Sequence, residues 1–207
     1  MKPARHLVIM AKQPRLGRVK TRLGRDIGAV EATRVYRLML SSLLRRLGHD
    51  PRWQIWLAVD GVHEVHAPVW PAGLQVVDQG KGDLGQRMQR QFGTLPPGPV
   101  ALIGSDIPAI APADIAAAFR LLGDSEFCFG PAADGGYWLV GQATRARGTP
   151  MFANVRWSSE HALGDTISNL AGREVAKVRQ LADVDDAASY RQFMQSRYAS
   201  SWKLTGT

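Results

Sequence analysis

The sequence predicts an α/β protein, a three-layer α/β/α sandwich around a mixed, mostly parallel sheet. Three observations predict it. Short runs dense in Val, Ile, Leu and aromatic residues alternate with amphipathic stretches almost throughout, as βαβ units require. Hydrophobic residues make up 45% of the 207, enough to bury one substantial core. Polar, glycine-containing segments follow several of the apolar runs, where the ligand-binding loops of a parallel sheet belong.

The elements follow in order. The first strand reads His6-Leu7-Val8-Ile9-Met10-Ala11, and a basic loop leaves it. A helix is expected over residues 26–47, with Asp26 as its cap and Gly48 as its stop. Residues 53–59 form the second strand and 74–77 a short third. Asp83 opens a helix that ends near Gly93, and residues 99–104 are a buried strand delivering Ser105-Asp106. Pro112 suits the first turn of the next helix, and Gly123 its end. Phe127-Cys128-Phe129 and Tyr137-Trp138-Leu139-Val140 are strands on either side of Asp134-Gly135-Gly136. A helix over 159–170, a strand over 175–178 and a last helix from Ala187 to about Tyr198 complete a single domain over 1–198. Residues 199–207 read as a tail.

Composition narrows the partners. The net charge of +8 fits a nucleic-acid surface or a smaller anionic ligand. The cations are not interleaved with aromatic residues as single-strand stacking platforms need, so the smaller anion is the expectation and nucleic acid is not. No apolar run is long enough to span a bilayer, and the first residues are too few in apolar side chains for a signal-peptide core. The single cysteine, Cys128, excludes an internal disulfide and sits in a strand-like setting. A cytoplasmic location is the default expectation.

Chemistry concentrates in four places. Lys12, Arg15, Arg18, Lys20 and Arg22 crowd into one loop directly after a strand, and such crowding is repulsive unless an anion relieves it. Gly17 lets backbone N–H groups approach phosphate oxygens, while Arg18, Lys20 and Arg22 can neutralise a polyphosphate; a solvated basic loop is the plain alternative. Asp106, at a strand end, can hold Mg²⁺ through one oxygen while phosphates supply others, or can be a turn residue. Asp134 can accept hydrogen bonds from a substrate hydroxyl beside Gly135 and Gly136, or the trio is a hairpin corner. Asp183-Val184-Asp185-Asp186 can bind a cation or cap the last helix. Trp157-Ser158-Ser159 is read as a helix start whose free N–H groups can hold an anion. No nucleophile elbow and no His/Cys zinc cluster is present in the sequence.

Five segments taken in order resemble a bacterial family of glycosyltransferase-like proteins with the Rossmann-like GT-A, or nucleotide-diphospho-sugar transferase, fold. They are Ala11-Lys12-x-Pro14-x-x-Gly17-x-Val19-Lys20-Thr21-Arg22-Leu23, Gln79-Gly80-x-Gly82-Asp83-Leu84-Gly85-x-Arg87-Met88, Gly104-Ser105-Asp106-x-Pro108, Gly130-Pro131-x-x-Asp134-Gly135-Gly136-Tyr137 and Asp183-x-Asp185. The chain is more distantly similar to phospholactate guanylyltransferases and molybdenum-cofactor nucleotidyltransferases. The resemblance implies that Asp106 and Asp185 hold Mg²⁺ or Mn²⁺, and that the loop holding Gln79, Gly82 and Asp83 reads the base and ribose. The sequence departs from the pattern in lacking Gly-x-Gly-x-Arg and in having Gly104-Ser105-Asp106 where many glycosyltransferases have Asp-x-Asp.

Together these readings assign Lys20, Arg22 and Asp106 to catalysis. Lys12, Gly17, Arg18, Lys20, Arg22, Gln79, Gly82 and Asp83 go to the nucleotide, and Asp134, Gly135, Gly136 and Ser158 to the acceptor. The expected activity is Mg²⁺-dependent transfer from a nucleoside triphosphate or nucleotide-sugar to a small-molecule acceptor, nucleotidyl ahead of glycosyl transfer. A non-catalytic nucleotide-binding module is the remaining alternative.

Overall fold

The computed structural model describes residues 4–195. Seven strands form one sheet in the order β3-β2-β1-β4-β6-β5-β7. They are β1 (His6–Ala11), β2 (Gln54–Val59), β3 (Gln75–Asp78), β4 (Val100–Gly104), β5 (Phe127–Pro131), β6 (Tyr137–Gln142) and β7 (Val175–Lys177). Pairs β1–β2, β1–β4, β2–β3 and β5–β7 are parallel, whereas β6 runs antiparallel to both β4 and β5. The expected mixed, mostly parallel sheet is therefore present.

The alternation within the central strands explains the three layers. Leu7 and Ile9 of β1 pack on one face with Leu40 and Leu43 of α2 (Ala29–Gly48) and Phe119 of α4 (Pro112–Asp124). Val8, between them, faces the other way, toward Met88 and Phe92 of α3 (Leu84–Thr94). With both faces covered, a period of two is hidden inside a continuously apolar strand, as buried parallel strands require. A third cluster joins Leu23 of α1 (Thr21–Ile27) to Val35 and Met39 of α2, and to Val184 and Phe193 beside and within α6 (Ala187–Gln195). It brings the chain's last described helix back against its first.

Several expected boundaries hold and two do not. Asp83 caps α3 reciprocally with Gln86, and Pro112 opens α4. The helix expected from Asp26 is instead two helices. Gly28, at φ +87, breaks the path between α1 and α2, and Asp26 lies inside α1, its carboxylate accepting from the Ala187 N–H at 3.4 Å. The helix expected from Ser159 starts only at Ala162, as the seven-residue α5 (Ala162–Ser168). The final helix is described to Gln195; Tyr198 and the expected tail at 199–207 lie outside the described residues. Cys128 is fully buried, as its setting predicts.

One buried polar residue sets a pH response. His6 in β1 accepts the indole N–H of Trp56 at Nδ1, 3.1 Å away, and burial holds its imidazole below its usual pKa. Protonation would put a hydrogen where the indole donates. Because the folded-state value is depressed, the neutral form's stability is complete above the unfolded pKa of ~6.5 and declines as pH falls toward the folded value. Urea midpoints should therefore drop between pH 7.5 and 5.5. His6→Leu should flatten that slope, because the other four histidines are exposed.

Candidate functional site

The parallel strands end together at one edge of the sheet, and β6 begins there because it runs the other way. Above that edge lies a cleft of about 730 Å³. The loop after β1, the start of α3, the segment after β4, the β5–β6 turn, Asp183 and Asp185 all line it.

Lys20 stands at its centre. It precedes α1 in the left-handed region, φ 48°, a conformation that costs a non-glycine residue on the order of 1–3 kcal/mol and persists where surroundings impose it. Val19 and Leu23 are buried on either side and anchor it. Only 2% of the Lys20 side chain is exposed, and its Nζ lies 3.0 Å from Asp106 Oδ1 and 3.1 Å from Asp185 Oδ1. The two carboxylates are less enclosed, 45% and 41% exposed. Arg22 makes a longer contact, 3.5 Å, to Asp185 Oδ2.

Each acid has a local reason for its place. Asp106 follows the end of β4, and its carbonyl accepts the Val184 N–H at 3.1 Å, which lays residues 183–185 beside it. Val184 is buried in the α1–α2–α6 cluster, so in extended chain its neighbours Asp183 and Asp185 fall on the opposite side, toward the cleft. Asp186 is the residue that caps α6, accepting from the Ser189 N–H at 2.8 Å. The capping reading of the acid run thus belongs to Asp186, while Asp183 and Asp185 line the cleft. Burial, and then the negative charges of Asp134 and Asp185, push the Asp183 carboxyl above its ordinary value.

The other expected residues separate into two groups. Lys12, Arg18, Lys20, Arg22, Gln79, Asp106, Asp134, Gly136, Ser158 and Asp185 line the cleft; Gly17, Gly82, Asp83 and Gly135 do not. Gln79 is buried, and its amide donates to the carbonyls of Ala11 and Ala58 at 3.0 and 2.8 Å. Its –NH₂ group therefore stitches β1 to β2. Asp83 is occupied as a helix cap. Gly135, at φ +84, meets the backbone of Glu160 so closely that a Cβ would come within 2.3 Å of the Glu160 oxygen. It seats the turn at residues 158–161, from which Ser158 reaches the cleft. That turn offers no helix N-terminus of the kind expected at Trp157.

Some lining residues carried little or no signal. Tyr36 of α2 is buried, receives the Lys12 N–H at 2.9 Å and lies 3.2 Å from Ser105 Oγ, so it ties the loops after β1 and β4 together. Burial pushes its phenol up to about 12, so it stays protonated. In the sequence it is one more apolar position of a helix. Arg87 lines the cleft from α3, donating to the Gly82 carbonyl at 3.0 Å; its place in the Gly85-x-Arg87-Met88 motif was the available signal. Trp157 and Tyr137 add an aromatic wall, their rings 6.5 Å apart.

Known structures give this architecture its class. A candidate nucleotide-diphospho-sugar transferase from Desulfovibrio desulfuricans G20 superposes with a TM-score of 0.84 at 25% identity, over 97% of this chain and 94% of the other. CMP:2-keto-3-deoxy-manno-octonic acid synthetase complexed with CTP gives 0.59 at 12% identity, over 98% and 100%. Glucosyl-3-phosphoglycerate synthase from Mycobacterium tuberculosis, complexed with Mn²⁺, UDP and glucosyl-3-phosphoglycerate, gives 0.57 at 9%, over 96% and 78%. The fold is that of the nucleotide-diphospho-sugar transferases, GT-A and Rossmann-like, shared by nucleotidyl- and glycosyltransferases. The chain itself belongs to the family described as "Uncharacterized protein conserved in bacteria (DUF2064)", whose model matches residues 43–159. Comparison with curated proteins finds no match. No helix among the described residues is long and apolar enough to cross a membrane.

Gly135→Ala checks how the far wall is seated. It combines a positive φ with a backbone collision, so it should cost more than the ~1 kcal/mol of a simple Gly-to-Ala strain, measured by urea denaturation. Gly17→Ala, at a similar φ with nothing within 4 Å, should cost less. Equal losses would show that the Glu160 contact is not what constrains Gly135.

Proposed function

We propose that the protein is a divalent-cation-dependent transferase acting on a nucleoside triphosphate or nucleotide-sugar, with nucleotidyl transfer the leading reaction. The supporting observation is that a cationic loop and a carboxylate pair converge on one cleft at the carboxyl edge of a nucleotide-diphospho-sugar transferase sheet. Lys12, Arg18, Lys20 and Arg22 supply more positive charge than a monophosphate needs, and a triphosphate matches it.

The acid pair fits Mg²⁺ or Mn²⁺. Asp106 and Asp185 are partly open to the cleft and point at a single position now held by an ammonium. No group of three candidate ligand residues occurs among the described residues. Two carboxylates are what Mg²⁺ uses when substrate phosphates and water complete its shell. When bound, such an ion would polarise the phosphoryl oxygens and offset developing charge.

The chain's own residues have these roles. Lys20 and Arg22 stabilise the charge that builds on the leaving pyrophosphate as an acceptor oxygen attacks the α-phosphorus, one P–O bond forming as the other breaks. Lys12 and Arg18 hold the outer phosphates. Asp134 and Ser158 face the acceptor, and Asp183 lines the same side of the cleft, where its carboxyl can hydrogen-bond an acceptor hydroxyl. This needs no protein nucleophile.

A glycosyltransferase reading has its own support. Asp134 and Asp183 offer hydrogen-bond acceptors beside the Tyr137 and Trp157 rings, a wall suited to a sugar's hydroxyls and apolar face. The leaving group decides between the two: pyrophosphate for nucleotidyl transfer, nucleoside diphosphate for glycosyl transfer. Tight nucleotide binding with neither product would indicate a non-catalytic module.

A thermal-shift screen of nucleoside triphosphates and nucleotide-sugars, with Mg²⁺ and with EDTA, should find ligands whose stabilisation requires the metal. For the ligand found, Lys20→Ala, at a buried cation, should weaken triphosphate binding by ~1–3 kcal/mol and Arg22→Ala, at a side chain 68% exposed, by less, each leaving nucleoside binding nearly unchanged, by calorimetry. Equal losses for nucleoside and triphosphate would move the polyphosphate site elsewhere, and Asp106→Ala with unaltered metal dependence would remove the metal role.

A further inference from the structure

We infer that Lys20 is the resident cation of the metal position, so that a free divalent ion is kept out and enters only together with a polyphosphate. The inference rests on the reading of the cleft as a metal and polyphosphate site, and adds to it the order in which the site is filled.

The geometry is specific. One ammonium nitrogen lies 3.0 Å from Asp106 Oδ1 and 3.1 Å from Asp185 Oδ1, the two oxygens a divalent ion would use. An ion bound at the ~2.1 Å that Mg²⁺ demands of its oxygens would lie within a few ångströms of that nitrogen. Two positive charges so close, with little water between them, repel strongly. Lys20 cannot simply withdraw. Val19 and Leu23 are buried on either side of it, and only 2% of its side chain is exposed, so withdrawal would mean leaving an enclosed position between two carboxylates. Leaving both carboxylates without gaining another anion would strand a buried charge.

A polyphosphate removes the obstacle. Its oxygens can take the Lys20 ammonium while the carboxylates turn to the metal that the polyphosphate brings. Every charge then has a partner before and after the exchange. With the phosphate absent, the carboxylates already have their counter-ion and gain little from a metal. Arg22 does not replace Lys20 in this role, since its side chain is 68% exposed and, among the described residues, its ion pair is with Asp185 alone.

Equilibrium dialysis with Mn²⁺, with and without inorganic tripolyphosphate, tests this without knowledge of base or acceptor. The wild-type chain should bind Mn²⁺ alone weakly and retain it much better with tripolyphosphate. Lys20→Met, checked for folding by circular dichroism, should bind Mn²⁺ alone at least about tenfold more tightly than wild type. Asp106→Asn added to Lys20→Met should abolish that gain, and Lys20→Arg, which restores a cation, should reduce it. Wild-type protein that binds Mn²⁺ alone as tightly as with tripolyphosphate overturns the inference, even if Lys20→Met does not fold. So does a folded Lys20→Met with unchanged Mn²⁺ affinity. If wild type fails to bind tripolyphosphate but Lys20→Met still gains Mn²⁺, the polyphosphate reading falls, and the coupled entry with it. Lys20 as the ion occupying the carboxylate pair is then upheld.

Discussion

An ammonium removed from water has to be surrounded by anions, and Lys20 meets that requirement with carboxylates from two distant parts of the chain. Asp106 follows the central strand β4, and Asp185, 165 residues beyond Lys20, precedes the last described helix. The remaining parts of the site are arranged around this contact. Val184 buries itself with α1 and α2 so that Asp185 turns inward, and the Asp106 carbonyl holds Val184 in place. Tyr36 locks the loop carrying the cations to the segment carrying Asp106. Val19 and Leu23, buried on either side, anchor the left-handed backbone at Lys20. Because both carboxylates are partly exposed, the pair contributes modestly to stability, and its importance lies in position.

Charge is divided within the cleft. The loop after β1 brings cations to one side, whereas Asp134 and Asp183 stand on the other, where burial first and then the negative charges of Asp134 and Asp185 raise the Asp183 carboxyl. A net charge of +8 would not suggest such a wall. The division gives the cleft two halves of opposite charge, one cationic and one rich in hydrogen-bond acceptors.

Much of the fold was legible because the signals are local. Strand β1, the capped start of α3 and the proline-led α4 were each visible in a few consecutive residues. The failures have equally local causes. Gly28 was passed over because a helical pattern continues on both sides of it, although its positive φ splits the path. Residues 159–161 read as helix, yet the preceding Ser158 adopts φ 59 and Gly135 packs against Glu160 across the turn. At Gln79, which lines the cleft as well, the sequence did not show that the –NH₂ group donates to two backbone carbonyls that only the packed sheet brings near.

By itself, then, the sequence determined the alternation of strands and helices and the gathering of polar loops at one sheet edge. Side-chain period, glycines and caps are properties of neighbouring residues and need no knowledge of the rest of the chain. Only the tertiary structure decided who meets whom at that edge. It paired Lys20 with Asp106 and Asp185, divided the acid run between a cap at Asp186 and the cleft, and brought Tyr36 onto Ser105 from 69 residues away. The physical reason is that the partner of a buried charge or hydroxyl is chosen by where the chain returns, and that return is set by core packing.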